Sequence, residues 1–577
     1  MTTMVHALHV RNEKANGVLV KEKECLLLED GSVQYNDKVR IYRDPVRPYW
    51  LTKPGLRTHP YKKEFEYIEN LDRYNVHDSN LMDSIKENLK IYKRCSFRKL
   101  CNSPYIYGAD IETAVFLKAK YLKNIDPDIP IKYTVGALDI ENEMHNDERI
   151  IAITYIHEHE IYTAVLRDYM LIKDDDISEF RIATEQDIYI TANELIGSLL
   201  KEHNFTLKVY IANDEIELIK WIFCNIHRCK TDFIGVWNIR HDIPHILKRL
   251  EALNVDPKSI LCHPSIPEIY HHVEYHMDNS KNLQHFTDRW DWFECSGFSQ
   301  FIDAMCLYSR IRKTSGRKPS YALDAIANLE LGTGKLKLNN ATNDHTYEQR
   351  NNFVPYVVYN INDVLIMQLM EFKNNDYRQL MSLTGVSMLK DFNKQTIMGK
   401  NNTFFYGYER GKIIASTGSN MLTEFDELMP KFGGAVLNPN RTLEIGVNII
   451  EEAPDIETRV CIGVNDLDVA AEYPSILASF NISKETKLST VVAIHGYPST
   501  SIEQCFANCV SPIENAVWMA NVFFGLPNYT EMDEMIYEYF NERMHQMLPY
   551  ELDIKDPQNV TLINQLIQKS LEKSQRK

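Results

Sequence analysis

No two of the eleven cysteines form a Cys-x-x-Cys pair, and their number is odd. That argues against a disulfide framework and for reduced thiols in a cytosol-like compartment. No apolar run reaches the length of a membrane span, so no membrane association is expected. The first residues, Met1 to His6, lack the basic and apolar regions of a signal peptide, and the expected location is the cytoplasm. Basic charge is in short supply: 64 Lys and Arg stand against 80 Asp and Glu, a net charge of −16. This argues against a surface coated in basic charge for duplex DNA, although an acidic total is compatible with acid clusters that bind metal and with local basic tracks. Lys93-Arg94 with Arg98-Lys99, and Arg310 through Lys318, are such tracks, and each alone reads as solvated surface. Charged residues make up 25% of the chain and hydrophobic ones 44%, the balance of a soluble globular protein long enough for several domains.

What the chain does have is a pair of acids behind an apolar run. Tyr133 to Leu138 leads into Asp139-Ile140-Glu141, and a second run, Ile150 to Tyr155, follows. The pattern predicts a strand, a short acidic turn and a second strand. Residues two apart on a strand point the same way, so Asp139 and Glu141 share a face. Adjacent carboxylates repel, and hard divalent cations such as Mg²⁺ relieve them; the alternative is a solvated strand end. The α/β texture continues with a strand at 161–166, a helix near 189–203, a strand at 207–211 and a helix at 214–225. Phe233 to Trp237 is a further strand. It ends in Asn238-Ile239-Arg240-His241-Asp242, where Asp242 reads as a helix cap or a ligand.

Other stretches are less specific. Residues 1 to 130 mix short strand-like runs, Val18–Val20 and Cys25–Leu28, with polar breaks. Four prolines between Asp44 and Pro60 predict extended or looped chain. Residues 266–296 are rich in aromatics and histidine, and Asp278 to Asn282 reads as the polar turn of a hairpin. His271, His272, His276 and His285 lack metal-ligand spacing. Ser320 to Leu331 predicts a capped helix ended by glycine, and Gly332-Thr333-Gly334-Lys335 offers a weak phosphate-loop reading. Val357 to Val364 opens a helix that continues past Met370. It sets Tyr359 and Asp363 four apart on one face.

Asp139 with Glu141, Asp242 after Asn238, and Asp363 after Tyr359 thus stand at strand ends or helix starts of one α/β unit. Together they can form a four-carboxylate cage for two metal ions. Their order and spacing resemble the three exonuclease motifs of the proofreading domain of family B DNA polymerases. Asp-Ile-Glu matches the first motif, Asn-x-x-x-Asp the second and Tyr-Asn-Ile-x-Asp the third; His241 departs from the aromatic usual before the second-motif aspartate. The resemblance implies a ribonuclease-H-like 3′–5′ exonuclease domain. Its metal ligands would be Asp139, Glu141, Asp242 and Asp363, Tyr359 would orient the attacking water, and Asn238 would lie near DNA.

The second half adds to this. Lys431-Phe432-Gly433-Gly434-Ala435 resembles the glycine loop that links exonuclease and polymerase parts, with Gly433 and Gly434 near DNA. Asp466 to Ile476 resembles the first palm motif, and Asn481 to Thr486 strengthens a likeness to T-even phage polymerases. By that resemblance Asp468 is a catalytic metal ligand and Tyr473 lies against the sugar of the incoming nucleotide. Ala471 and Glu472 depart from the usual pair before that tyrosine. Phe540-Asn541-Glu542-Arg543 resembles the first finger helix, with Arg543 on the triphosphate, and Lys577 would open the second nucleotide-binding motif. The expected fold class is mixed α/β. The expected division is an α+β N-terminal domain (1–130), the exonuclease (131–375), a return to the N-terminal domain and linker (376–450), partial palm (451–530) and partial fingers (531–577). The expected function is the N-terminal part of a replicative DNA polymerase with two Mg²⁺, or Mn²⁺, at the exonuclease site. Its partners would be primer-template and single-stranded DNA, dNTPs, a sliding clamp and a complementing C-terminal polypeptide needed for nucleotide addition, in the host cytoplasm if viral. A lone exonuclease with a decayed palm and a non-catalytic DNA-binding replisome scaffold are the alternatives.

Overall fold

The chain divides into two compact units, Met1–Asn420 and Met421–Lys577. A computed structural model describes residues within 1–415, except for short stretches that include 123–128, 144–147, 174–179, 279–284, 338–344 and most of 384–410. The readings made for Gly433, Gly434, Asp468, Tyr473, Arg543 and Lys577 lie outside the described residues.

The N-terminal part opens on an antiparallel sheet of β1 (Thr2–Arg11), β2 (Asn16–Leu27) and β3 (Val33–Arg43). β2 is one strand, where the sequence predicts two short ones around a polar break. The break, Lys21 to Glu24, stays extended because its charges find partners. Lys21 Nζ lies 2.5 Å from Asp232 Oδ1 and Lys23 Nζ lies 2.8 Å from Asp232 Oδ2, and all three side chains are buried. Next come β4 (Val46–Thr52), β5 (Phe65–Tyr67), β6 (Leu71–His77), the helices α1 (Leu81–Leu89) and α2 (Phe97–Cys101), β7 (Ile106–Tyr107) and α3 (Thr113–Leu122). β4 lies between β6 and β7, but β7 pairs only with Trp50 and Leu51. Pro48 therefore sits where one side of β4 is unpaired, as a residue without an N–H requires.

An eight-stranded mixed sheet forms the next layer. Its strands are β8 (Val135–Asn142), β9 (Ile150–His157), β10 (Glu160–Leu166), β13 (Thr206–Ala212), β14 (Phe233–Val236), β15 (Val273–His276), β16 (Trp292–Cys295) and β17 (Gln300–Asp303); the short pair β11 (Leu171–Lys173) and β12 (Phe180–Ile182) stands apart. The order is β13-β10-β9-β8-β14-β17-β16-β15. β8, β9 and β10 are antiparallel in sequence, and β14 and β17 run parallel to β8. The helices are α4 (Glu185–Glu202), α5 (Glu215–Cys229), α6 (Ile239–Ala252), α7 (Pro257–Leu261), α8 (Ala304–Ile311), α9 (Leu323–Leu331), α10 (His345–Asn351), α11 (Phe353–Asn374) and α12 (Asp376–Leu383). β18 (Ile413–Ala415) then pairs with β5.

Register assigns the two faces of this sheet. Leu138 lies opposite Tyr155, and Tyr155 stacks on Tyr162, which meets Trp221 of α5 edge-on. Asp139 lies opposite Thr154 on the other face, where α11 packs. α11 is long and apolar enough to cross a membrane, but 89% of its apolar window is buried inside the protein. One buried cluster includes Ala137, Ala152 and Val165 on the Asp139 face of the sheet and Val357, Ile361 and Leu365 of α11. The eight cysteines among the described residues are all free.

Candidate active site

Three elements converge on one acidic centre. β8 supplies Asp139 and Glu141, both half-buried; α11 supplies Asp363, almost wholly buried. Ligand oxygens of these three residues lie within 4.8 Å of one another, the one such group of possible metal ligands among the described residues. Next to them the β8–β9 register slips between Glu141 and Asn142, leaving Ile151 as an extra residue in β9. Such a bulge bends a strand and re-aims its side chains. Asp242, 4% exposed, comes from the first turn of α6. Asn238 is the N-cap residue of α6. It is exposed and makes no side-chain capping bond, and its carbonyl accepts from the N–H groups of His241 and Asp242. Asp242 is therefore a first-turn residue and not the cap, the first of the two readings, cap or ligand, that the sequence offers for it.

The electrostatics are those of a cage short of positive charge. Burial pushes Asp139 well above the carboxylate range, and Asp242, Asp363 and Glu141 push it further. Burial raises Glu141 to about 7 against the bond it accepts from Tyr356, and raises Asp363 to about 6 against the pull of Lys335. Asp242 is raised by burial too, although His241 Nδ1 lies 3.1 Å from its Oδ1. Asp242 Oδ2 and Asp363 Oδ1 are buried without a hydrogen-bond partner among the described residues. Acids that raise one another's affinity for protons while keeping free lone pairs suit a divalent cation with oxygen ligands.

Sequence reasoning missed the residues that seat the acids. On α11, Asn360 Nδ2 donates to Asp139 Oδ2 at 2.7 Å, and the Tyr356 hydroxyl donates to Glu141. Tyr356 also lies 3.0 Å from His345 Nδ1, and Gln349 Nε2 donates to the Asn142 carbonyl at 2.9 Å. Tyr359 stacks on Tyr356 with ring centres 5.9 Å apart. Lys335 ion-pairs with Asp363 and donates to the Tyr359 hydroxyl at 3.2 Å. Burial alone would lower its affinity for a proton, but Asp363 and Tyr359 more than reverse that. The phosphate-loop reading of Gly332-Thr333-Gly334-Lys335 is corrected by this geometry. Gly332, at φ +73°, ends α9 in the left-handed region. A Cβ on Gly334 would lie 2.1 Å from Asp324 Oδ1. The glycines thus cap a helix and permit a close approach, and the lysine they deliver faces carboxylates.

The aromatic stretch is built as a hairpin arm with β15 and β16 antiparallel; residues 279–284, where most of the expected polar turn falls, lie outside the described residues. His276 stacks on Trp292 at 4.6 Å, and His271 Nε2 lies 2.8 Å from the Ile266 carbonyl. His285 Nδ1 lies 2.8 Å from Thr287 Oγ1. These histidines are engaged locally.

The acid cluster that spans the mixed sheet and a helix is a group that could hold a metal ion. Residues 120–326 match the family model described as DNA polymerase family B, exonuclease domain. That match supports a family B DNA polymerase exonuclease domain, an enzyme class that acts on DNA and uses divalent metals. Asp139, Glu141 and Asp242 fall inside the matched segment; Lys335 and Asp363 follow it. A comparison with curated proteins gave no match.

Proposed function

We propose that this chain removes nucleotides from the 3′ ends of DNA by metal-dependent hydrolysis, as a proofreading exonuclease. The observation that carries the reading is the convergence of Asp139, Glu141 and Asp363 with Asp242 beside them, two of the four still holding unpartnered buried oxygens. Bound divalent ions, Mg²⁺ or Mn²⁺ in a two-ion arrangement, would supply an activated water and charge compensation for the leaving oxygen. The four carboxylates would hold them. Asn360 and Tyr356 keep the two β8 carboxylates in a fixed orientation, as outer hydrogen bonds do for metal ligands. The Tyr359 hydroxyl, anchored by Lys335, is set to direct the attacking water. The hairpin arm, rich in rings, would part a primer end from its template, since exposed rings stack on unpaired bases. The ribonuclease-H-like reading of the fold draws support from the run β10-β9-β8-β14-β17 with β9 reversed.

The finer reading makes this exonuclease part of a replicative DNA polymerase. Its support is the palm-like segment with Asp468 and Tyr473 and the finger-like segment with Arg543. Primer-template DNA and dNTPs would then be ligands, and a clamp and a complementing polymerase polypeptide would be partners. The test of the exonuclease is digestion of 5′-labelled single-stranded DNA with Mg²⁺ or Mn²⁺. Wild-type chain should shorten the strand from its 3′ end, and the Asp139→Ala, Glu141→Ala double variant should not. Equal digestion by both would sink the assignment. Digestion by neither would favour the DNA-binding scaffold.

A further inference from the structure

The first turn of α6, which carries Asp242, is held less by its own backbone than a regular helical turn. Pro244 lies inside the helix and has no N–H, so the Arg240 carbonyl lacks its usual donor four residues on. The N-cap residue Asn238 adds no side-chain bond. Arg240 makes up the difference from outside. Its Nε donates to Asp291 Oδ2 at 2.8 Å and its Nη2 to Asp291 Oδ1 at 2.8 Å. Paired bonds of this kind fix angle as well as distance.

Asp291 is 1% exposed and serves a second element with the same two oxygens. The Tyr275 hydroxyl in β15 donates to Oδ2 at 2.6 Å, and the Asp278 N–H, just past β15, donates to Oδ1 at 2.8 Å. Arg240 Nη2 also reaches the Asp278 carbonyl at 3.2 Å, and Trp290 N–H donates to Asp278 Oδ2 at 3.2 Å. Two donors therefore come from the helix turn and two from the end of β15 and the residues just past it. The cations that bear on Asp242 are His241 and Lys335, while Arg240 pairs with Asp291 and also bears on Asp303.

We propose that Asp291 is a positioning residue that clamps the 273–295 hairpin arm to the first turn of α6, so that one buried carboxylate sets both the stance of the arm and the seat of Asp242. The inference rests on the exonuclease reading for its kinetic consequence, not for the clamp itself. Two readouts on the full chain separate them. The first is amide hydrogen exchange over 239–243 and 273–278. Asp291→Asn should speed exchange in both segments by roughly tenfold, the scale of a lost charge-assisted bond. Tyr275→Phe should speed it in 273–278 alone. Arg240→Gln, which leaves Asp291 its two hairpin donors, should loosen 239–243 and serves if Asp291→Asn does not fold. The second readout is 3′ digestion of single strands and of duplex ends. Asp291→Asn and Arg240→Gln should lower kcat on single strands while KM holds, and Tyr275→Phe should change digestion of duplex ends only. Loosening of one segment alone by Asp291→Asn, or an unchanged kcat in Arg240→Gln, would overturn the clamp. If wild-type chain digests no DNA, the exonuclease reading fails, and the exchange data still decide whether the two elements move together.

Discussion

Asn360 and Asp139 are 221 residues apart in sequence and joined by a 2.7 Å hydrogen bond, from the amide nitrogen of a fully buried helix residue to the carboxylate of the central strand. The bond uses one oxygen of Asp139. Asn360→Ala should therefore free the carboxylate to rotate and weaken divalent-ion binding by about 10-fold or more, the usual effect of losing an outer partner of a metal ligand. Mn²⁺ titration by calorimetry measures it. An affinity equal to wild type would mean that packing alone seats Asp139.

Protons and metal compete for the same cage. Glu141 is held at about 7 and Asp363 at about 6, first by burial. Digestion at limiting Mn²⁺ should rise between about pH 5.5 and pH 8 as these carboxyls give up their protons. The sign for stability is the reverse. Folded values above the unfolded ones, about 4 for both types, mean that the folded chain holds these protons more tightly, so their stabilisation is full below about pH 4 and is lost progressively as pH rises from there through the folded values, about 6 and about 7. The melting temperature of metal-free protein should fall over that span, and added Mn²⁺ should restore more of it at about pH 8 than at about pH 5.5. A metal-induced gain that is flat with pH would contradict the shifts.

Lys335 opposes the rise at Asp363 and anchors the Tyr359 hydroxyl. Lys335→Met should move the acidic limb of the pH–rate profile to higher pH, because Asp363 then titrates later, and should lower the plateau as Tyr359 loses its anchor. A profile that keeps its midpoint would assign Lys335 to packing alone.

Asp232 is buried between two lysine ammonium groups and accepts from the Thr134 N–H at 2.7 Å, at the root of β8. Asp232→Ala would leave two buried cations without that partner and should cost about 3–5 kcal/mol. Urea unfolding of the full chain measures this, and a loss under about 1 kcal/mol would mean that Asp37, 3.6 Å from Lys21 and 3.4 Å from Lys23, suffices.

Legibility followed sequence distance. The runs Ile150–Tyr155 and Phe233–Trp237 read directly as strands, and a helix through Tyr359 and Asp363 followed from local pattern. Its start at Phe353 did not; Pro355 lies in the first turn, where a residue without an N–H has no bond to lose. Lys21 to Glu24 read as a break because their partner Asp232 lies about two hundred residues on. Asp139, Glu141, Asp242 and Asp363 were legible as acids in motif spacing. Asn360 and Tyr356 were not, since their partners lie on a strand more than two hundred residues upstream. The signal for Lys335 was chemical: four neighbouring acids call for a cation, and the Gly-x-Gly pattern drew attention to phosphate instead.

The lysines on β2 bear on how far this nuclease is a detachable module. The family match begins at residue 120, after the whole N-terminal sheet. A fragment cut there keeps Asp232 and Thr134 but loses Lys21 and Lys23, the two cations that pair with Asp232 at the foot of the strand that bears Asp139. The boundary drawn by sequence similarity and the boundary drawn by charge neutrality are different lines.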